Sequence, residues 1–346
     1  MKTEHALEAK LVAISLDLRI ESDFAFRFAS HYFAVNESPW SLPPYPYVAP
    51  RERLVHAVAL ALYYGAYCRG RENKVNIVPD DLVRDHEFIE GLSAANQTLR
   101  TIEQGWNLVH READDTVHVS KAGRFRIAPP GQFQSTSSTG TDSCAESLIS
   151  LPVLREDRDW LPMFYLAHSE MLPNQCDDLD NVRFYFHCDQ HSVLDVMRSV
   201  TGTLNRYQVP FRLKCLDHPR LYGRSDALVL YVEKRYVQFV ARCLMSLSDG
   251  AAFQLSDPVP LFSKRLVQGI GIAEDPGDGQ SFGQQRTRLL AEALLDAHDA
   301  DCLHDDGVLA HIERRFKEAG LDLRRPHLNA GSVDWYTIPG QLAAVS

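Results

Sequence analysis

A chain of 346 residues, 45% of them apolar, can bury one large core or two smaller ones, as an ordinary globular protein does. Its formal net charge of -10 rules out a nucleic-acid binder with a broad basic surface and leaves room only for a local basic pocket. Seven cysteines (Cys68, Cys144, Cys176, Cys188, Cys215, Cys243 and Cys302), an odd number with no C-x-x-C pair, fit a reducing cytoplasm and provide neither a disulfide framework nor a zinc signature.

The N-terminus, Met1-Lys-Thr-Glu-His5, lacks the basic region and long apolar run of a signal peptide. No stretch of about 18 apolar residues is present, so no membrane span is expected. Residues 1 to about 36 read as helix, with Leu11, Ile14, Leu18, Phe24 and Phe28 at helical spacing. Pro39 to Pro50 holds five prolines and three aromatics and reads as a turn or extended connector. Arg51 to Tyr67 reads as an apolar helix with Leu54, Val55, Val58, Leu62 and Ala66 on one side, and Pro79 to Glu103 as further helix. Val117 to Ile127 changes to period two around a glycine, which predicts a hairpin. Gly131 to Ser147, rich in Ser, Thr and Gly, reads as a linker or mobile loop.

From Leu148 the pattern becomes mixed. Strands are predicted over Met163 to Ala167, Val182 to Cys188, Phe211 to Leu216 and Ala227 to Glu233, with a helix from Val193 to Tyr207. A helix from Lys234, a Pro-rich segment to Phe262, a Gly-rich loop from Gly269 to Gly283 and a helix from Gln284 to His298 follow. The last helix, Val308 to Ala319, stops at Gly320. The expected class is α+β, without internal repeats. A mainly helical region spans 1–130, the linker 131–147, and a mixed sheet flanked by helices 148–346.

The chemistry concentrates in three stretches of that last part. Val182, Phe184, Phe186 and Cys188 alternate with Arg183, Tyr185 and His187, so one face of the strand is apolar and the other carries cations and hydrogen-bonding groups. Arg212 and Lys214 share a face opposite Phe211, Leu213 and Cys215. Lys214 reads either as a general base in a pocket or as a solvated edge-strand lysine. Arg224, in Gly223-Arg-Ser-Asp-Ala227, reads either as a bidentate phosphate ligand or as the partner of Asp226 in a tight turn. Arg286 lies in the first turn of a helix, against the dipole, which hints at an anion or an ion-pair partner. His168 and His187 are candidate acids or hydrogen-bonded structural histidines. The glycine spacing before Arg286 fits neither a Walker A loop nor a dinucleotide fingerprint, and no histidine spacing suggests a metal.

These stretches together resemble the HopA-type effector family. The resemblance rests on Phe164-Tyr-Leu-Ala167, Val182-Arg-Phe-Tyr-Phe186, Pro210-Phe-Arg-Leu-Lys214, the run from Tyr222 to Tyr231, Pro260-Leu-Phe-Ser263, the run from Gly269 to Pro276, and Ser281-Phe-Gly-Gln-Gln-Arg286. Leu62 to Arg69 in the helical part is also similar. That family includes plant-pathogen type III effectors and the lyases of class V lanthipeptide and thioviridamide-like peptide biosynthesis, and it is similar in turn to the phosphothreonine lyases.

The resemblance implies a phosphothreonine-lyase-like fold and β-elimination of phosphate from phosphoserine or phosphothreonine, leaving dehydroalanine or dehydrobutyrine. It implies Lys214 as base and Arg183, Arg212, Arg224, Tyr231 and Arg286 as the phosphate pocket. Tyr185 stands where the lyases have a histidine, so Tyr185, His187 and His168 remain alternatives for the acid. Expected partners are a phosphorylated precursor peptide with leader and core, a separate phosphotransferase-like kinase and a cysteine decarboxylase, with no cofactor, nucleic acid or membrane. The alternative is a type III effector, or a non-catalytic phosphopeptide-binding member of a maturation complex.

Overall fold

The computed structural model describes residues 2–35, 48–68, 82–136, 148–159, 161–175, 180–304 and 307–336. Helix α1 (Lys2–Asp17) is followed by strands β1 (Leu18–Ser22), β2 (Ala25–Phe28) and β3 (His31–Ala34). Helix α2 (Pro50–Leu62) runs on into a π-helix (Tyr63–Tyr67). Next come α3 (His86–Ala95), β4 (Ile102–Arg111), β5 (Val117–Lys121), β6 (Arg124–Ala128), β7 (Gln134–Thr136), β8 (Leu148–Pro152), β9 (Glu156–Asp157), β10 (Phe164–His168) and β11 (Asn181–Phe186). The remainder is α4 (Val193–Arg206), β12 (Arg212–Leu216), β13 (Leu228–Glu233), α5 (Val237–Asp249), β14 (Lys264–Val267), β15 (Ile270–Glu274), α6 (Phe282–Asp299) and α7 (Gly307–Glu318). The class is α+β, as expected.

These elements form two compact units that interleave in sequence. One comprises Met1–Leu82, Arg224–Asp226 and Asp257–Trp335, the other Val83–Gly223, Ala227–Ser256 and Tyr336–Ser346. The division read from the sequence, at 130 and 148, follows chain order instead.

In the first unit α2 packs along α6, and α7 packs on both α6 and α1. Leu54, Val55, Ala57, Val58, Ala61 and Leu62 form the buried stripe of α2. Ser281 caps α6 by accepting from Gln284 N at 3.0 Å. Gly283 is required by close approach, since a Cβ there would meet the stacked rings of Tyr67 and Tyr63, the latter at 2.7 Å. Gly320 ends α7 at φ 73°, with Leu321 N donating to Phe316 O at 2.8 Å.

Two sequence expectations fail here. The helix expected to residue 36 stops at Asp17, and β1 to β3 occupy Leu18–Ala34 as an antiparallel sheet. Phe26 and Phe28 are buried at period two, and Phe26 stacks on its cross-strand partner Phe33 at 4.9 Å, while Phe24 sits half-exposed in the turn. The Gly269–Gly283 loop begins as a hairpin, β14–β15, whose second strand is buried on both faces. Gly271 hides that strand's character in sequence; a side chain there would strike Val259 and Ser263.

His327 lies buried in this unit, and burial lowers its pKa from 6.5 to about 4. The unfolded chain therefore takes up this proton first. Stability should be full above pH 6.5 and fall by about 3 kcal/mol as pH drops toward 4. Urea midpoints measured across that range should flatten in His327→Gln; an unchanged slope would remove His327 as the cause.

The second unit contains two sheets. Strands run β6–β5–β4–β8–β7 in one, all antiparallel, over a core of Trp106, Val117, Val119, Ile149 and Leu151. The expected hairpin is β5–β6, turning at Ala122 and Gly123 with φ 49° and 75°. The other runs β11–β13–β12–β10–β9, again antiparallel at each step. Helix α4 buries Val193, Val196, Met197, Val200 and Leu204, and packs against α3 and α5.

The helix expected from Pro79 to Glu103 shortens to α3. Asp85 caps its start by accepting from Phe88 N at 2.9 Å, and Asn96 ends it by turning its side chain onto Thr98 N at 3.0 Å. Of the expected linker, Gln134–Thr136 is strand β7, and 137–147 lies outside the described residues, as does 39–47 of the Pro39–Pro50 connector. Among the described residues no helix is long and apolar enough to cross a membrane.

Candidate functional site

The register of the second unit's β11–β13–β12–β10 sheet collects the expected residues on one face. Arg183 stands opposite Tyr231, Tyr231 opposite Arg212, and Arg212 opposite His168. Directly opposite residues point to the same face, so these four form one row across four strands. The adjacent row is Tyr185, Val229, Lys214, Leu166 and Asp157. The two rows are one pleat repeat apart, about 6.7 Å along the strands. The alternation that built this face also filled the opposite one with Val182, Phe184, Phe186, Leu213, Leu228 and Leu230, all buried.

Tyr231 is the hub of the cationic row. The Arg183 guanidinium lies 5.3 Å from its ring centroid, Arg212 5.9 Å and Lys214 Nζ 6.0 Å. Lys214 Nζ is nearer still, 4.4 Å, to the ring of Phe164. Among the described residues neither Arg212 nor Lys214 has a carboxylate in ion-pair contact. Both are half-buried, and Arg183 is 8% exposed, so this face holds concentrated positive charge away from bulk water. Asp157, two strands from Lys214, shares the face, as does the buried Glu233, one repeat beyond Tyr231 on β13, whose carboxylate accepts from Arg235 at 2.6 Å and from Asn174 N at 2.8 Å.

The candidate acids differ in setting. His168 Nε2 is buried without a hydrogen-bond partner among the described residues. Burial, and then the charge of Arg212, hold its pKa below 6.5 against the pull of Asp157, so its ring is neutral near pH 7. Tyr185 is buried on the face one row from Arg183. His187 lies past the end of β11, where the alternation that would have put it on the face stops; its carbonyl accepts from Ser256 N at 2.9 Å.

Arg224 and Arg286 belong to the first unit, and their donors are engaged there. Arg224 pairs with both oxygens of Asp226 at 2.8 Å, and reaches Cys68 Sγ at 3.0 Å and the Tyr63 hydroxyl at 3.2 Å. Tyr63 in turn donates to Asp226 at 3.1 Å. Burial opposes the charge of Asp226, but Arg224 outweighs it and holds the carboxyl below its usual range; burial pushes the Cys68 thiol up. Arg286 is fully buried, donating to Pro326 O at 3.0 Å, Leu328 O at 2.8 Å and the Gln285 side chain. Two of the groups that accept from Arg286 are backbone carbonyls, which a fixed guanidinium fork satisfies.

A family model described as the HopA1 effector protein family matches residues 156–328, half of the chain. The chain belongs to that family. Among solved structures, this HopA1-family chain is similar to the effector protein from Pseudomonas syringae pv. tomato strain DC3000, with 15% identity, 94% of this chain and 97% of that chain covered, and a TM-score of 0.47. It is similar also to the effector protein from Pseudomonas syringae pv. syringae strain 61, with 14% identity, 80% and 90% covered, and a TM-score of 0.42. No curated protein matches it.

The matched span of this HopA1-family chain contains every strand of the cationic face. In the sequence Phe164 stands out only as part of the Phe164-Tyr-Leu-Ala167 motif. Its place beside Lys214 depends on the β10–β12 register, which no local spacing reveals.

Proposed function

We propose that the chain is a lyase that eliminates phosphate from phosphoserine or phosphothreonine in a peptide. The observation that carries this reading is the pair of adjacent rows: two arginines around Tyr231, and one repeat away a lysine without a carboxylate partner among the described residues. Phosphate oxygens would accept hydrogen bonds from Arg183 and Arg212, whose fork geometry matches them. The Cα of the same residue would then lie toward Lys214. The Lys214 amine takes the Cα proton on its lone pair, the C–H electrons form the Cα=Cβ bond, and the Cβ–O bond breaks, its electrons leaving with the phosphate. The arginines offset the charge that gathers on the leaving oxygen. His168, kept neutral beside Arg212, offers an N–H to that oxygen, and an arriving phosphate dianion would favour its protonated form. Arg224 and Arg286 serve the first unit's interior in this reading.

The substrate would be a precursor peptide phosphorylated by a separate kinase in the cytoplasm, with a cysteine decarboxylase acting on the same peptide. A thiol added to a reaction with a phosphothreonine peptide should be captured by the alkene product. Release of phosphate without thiol capture would point to hydrolysis and sink the lyase reading.

A second reading, phosphopeptide binding without chemistry, is favoured by the seating of Lys214 over two aromatic rings, which suits a charged ammonium. Both readings require Arg212. Arg212→Ala should weaken phosphopeptide affinity about 10- to 100-fold by calorimetry and leave the unphosphorylated peptide unaffected. Equal affinity in wild type and variant would remove Arg212 from the phosphate site.

A further inference from the structure

We propose that Phe164 is a positioning residue for Lys214: its ring seats the amine apart from the arginines and stabilises the ammonium that forms on proton abstraction. The chemistry of this inference rests on the lyase reading; the placement rests on β10 and β12 alone. Leu166 stands opposite Lys214, and Phe164 lies one repeat along β10, so its ring is the diagonal neighbour of the lysine. Lys214 Nζ is 4.4 Å from the Phe164 centroid, against 6.0 Å from Tyr231.

Two rings thereby divide three cations. Tyr231 is flanked by Arg183 at 5.3 Å and Arg212 at 5.9 Å, while Phe164 carries, among the described residues, Lys214 alone. Like charges repel, and without Phe164 the lysine has only the ring that the arginines already share. Its ammonium would then compete for the phosphate oxygens instead of facing Cα. The effect also grows during the reaction. Neutral Lys214 gains little from an aromatic face; the ammonium produced when its lone pair takes the Cα proton gains the attraction of the ring quadrupole. An interaction stronger in the transition state than in the ground state raises kcat rather than binding.

The test uses the full chain as wild type, Phe164→Leu and Phe164→Trp, with a phosphothreonine peptide, and the same three proteins carrying ε-13C-lysine. The Lys214 resonance is assigned by its loss in Lys214→Arg. Phe164→Leu keeps the apolar volume and removes the π face. It should lower kcat about tenfold with KM little changed, and Phe164→Trp should recover most of the loss. The Lys214 ε-methylene should resonate upfield in wild type and move to an ordinary position in Phe164→Leu. Wild-type kcat in Phe164→Leu, an equal loss in Phe164→Leu and Phe164→Trp, or an unshifted ε-methylene in wild type would overturn the proposal. If the wild type eliminates nothing, the lyase reading fails and the kinetic role fails with it, while the ε-methylene shift still decides whether the ring holds the amine.

Discussion

Lys214→Ala should abolish elimination while the protein stays folded. Loss of a positioned general base costs about 10²- to 10⁴-fold in rate. The fold should tolerate the change because the apolar anchors of β12 are its neighbours Leu213 and Cys215, both fully buried on the opposite face. Lys214→Arg keeps a positive charge on that face but supplies no base, so it should bind phosphopeptide and fail to eliminate. Single-turnover assays with a phosphothreonine peptide, alongside circular dichroism and thermal melts, read both properties. Wild-type turnover in a folded Lys214→Ala protein would take the lysine out of the mechanism.

The second large effect concerns the first unit. Asp226→Asn should destabilise the protein by about 3–5 kcal/mol, because it leaves Arg224 charged and buried without its counter-ion. Arg224→Ala should cost as much, since it strands the Asp226 carboxylate. The acid limb follows from the sign of the Asp226 shift. Its folded pKa lies below the ordinary value of 3.8, so the pair contributes fully above that pH and is lost as pH falls through the folded value. Denaturant melts of the variants at neutral pH check the magnitude. Phosphopeptide affinity of whatever Arg224→Ala protein folds checks the role: a phosphate ligand would lose affinity, whereas a structural pair loses only stability.

The cationic face was legible because strand period and charge coincide there. Arg183 with Tyr185, and Arg212 with Lys214, each alternate with residues that proved buried, and short-range alternation carries that information. What pairing brings together was not legible. Tyr231 becomes the hub only once β13 lies between β11 and β12, and Phe164 meets Lys214 only through the β10 register. Arg224 looked open to either reading because two of its partners, Tyr63 and Cys68, come from a helix more than 150 residues earlier. Arg286 was ambiguous for the same reason, its carbonyl partners lying 40 and 42 residues later. The segment Leu18–Ala34 reads as helix in sequence because Leu18, Phe24 and Phe28 fit a helical repeat, while the pairing of Phe26 with Phe33 that decides the matter is a tertiary contact.

The family membership constrains the chain's ancestry and leaves its chemistry to the site. Fold and family host several functions, and an activity has to be argued from side chains. Here those side chains are three cations, two aromatic rings and a histidine on one sheet face.

The most direct measurement is mass spectrometry of a synthetic phosphothreonine peptide after incubation with the full chain, run beside Lys214→Ala. The account predicts that wild type removes one phosphoric acid per site, leaving dehydrobutyrine, and that Lys214→Ala returns the peptide intact. Phosphate replaced by a hydroxyl, or intact peptide with wild type, would contradict it.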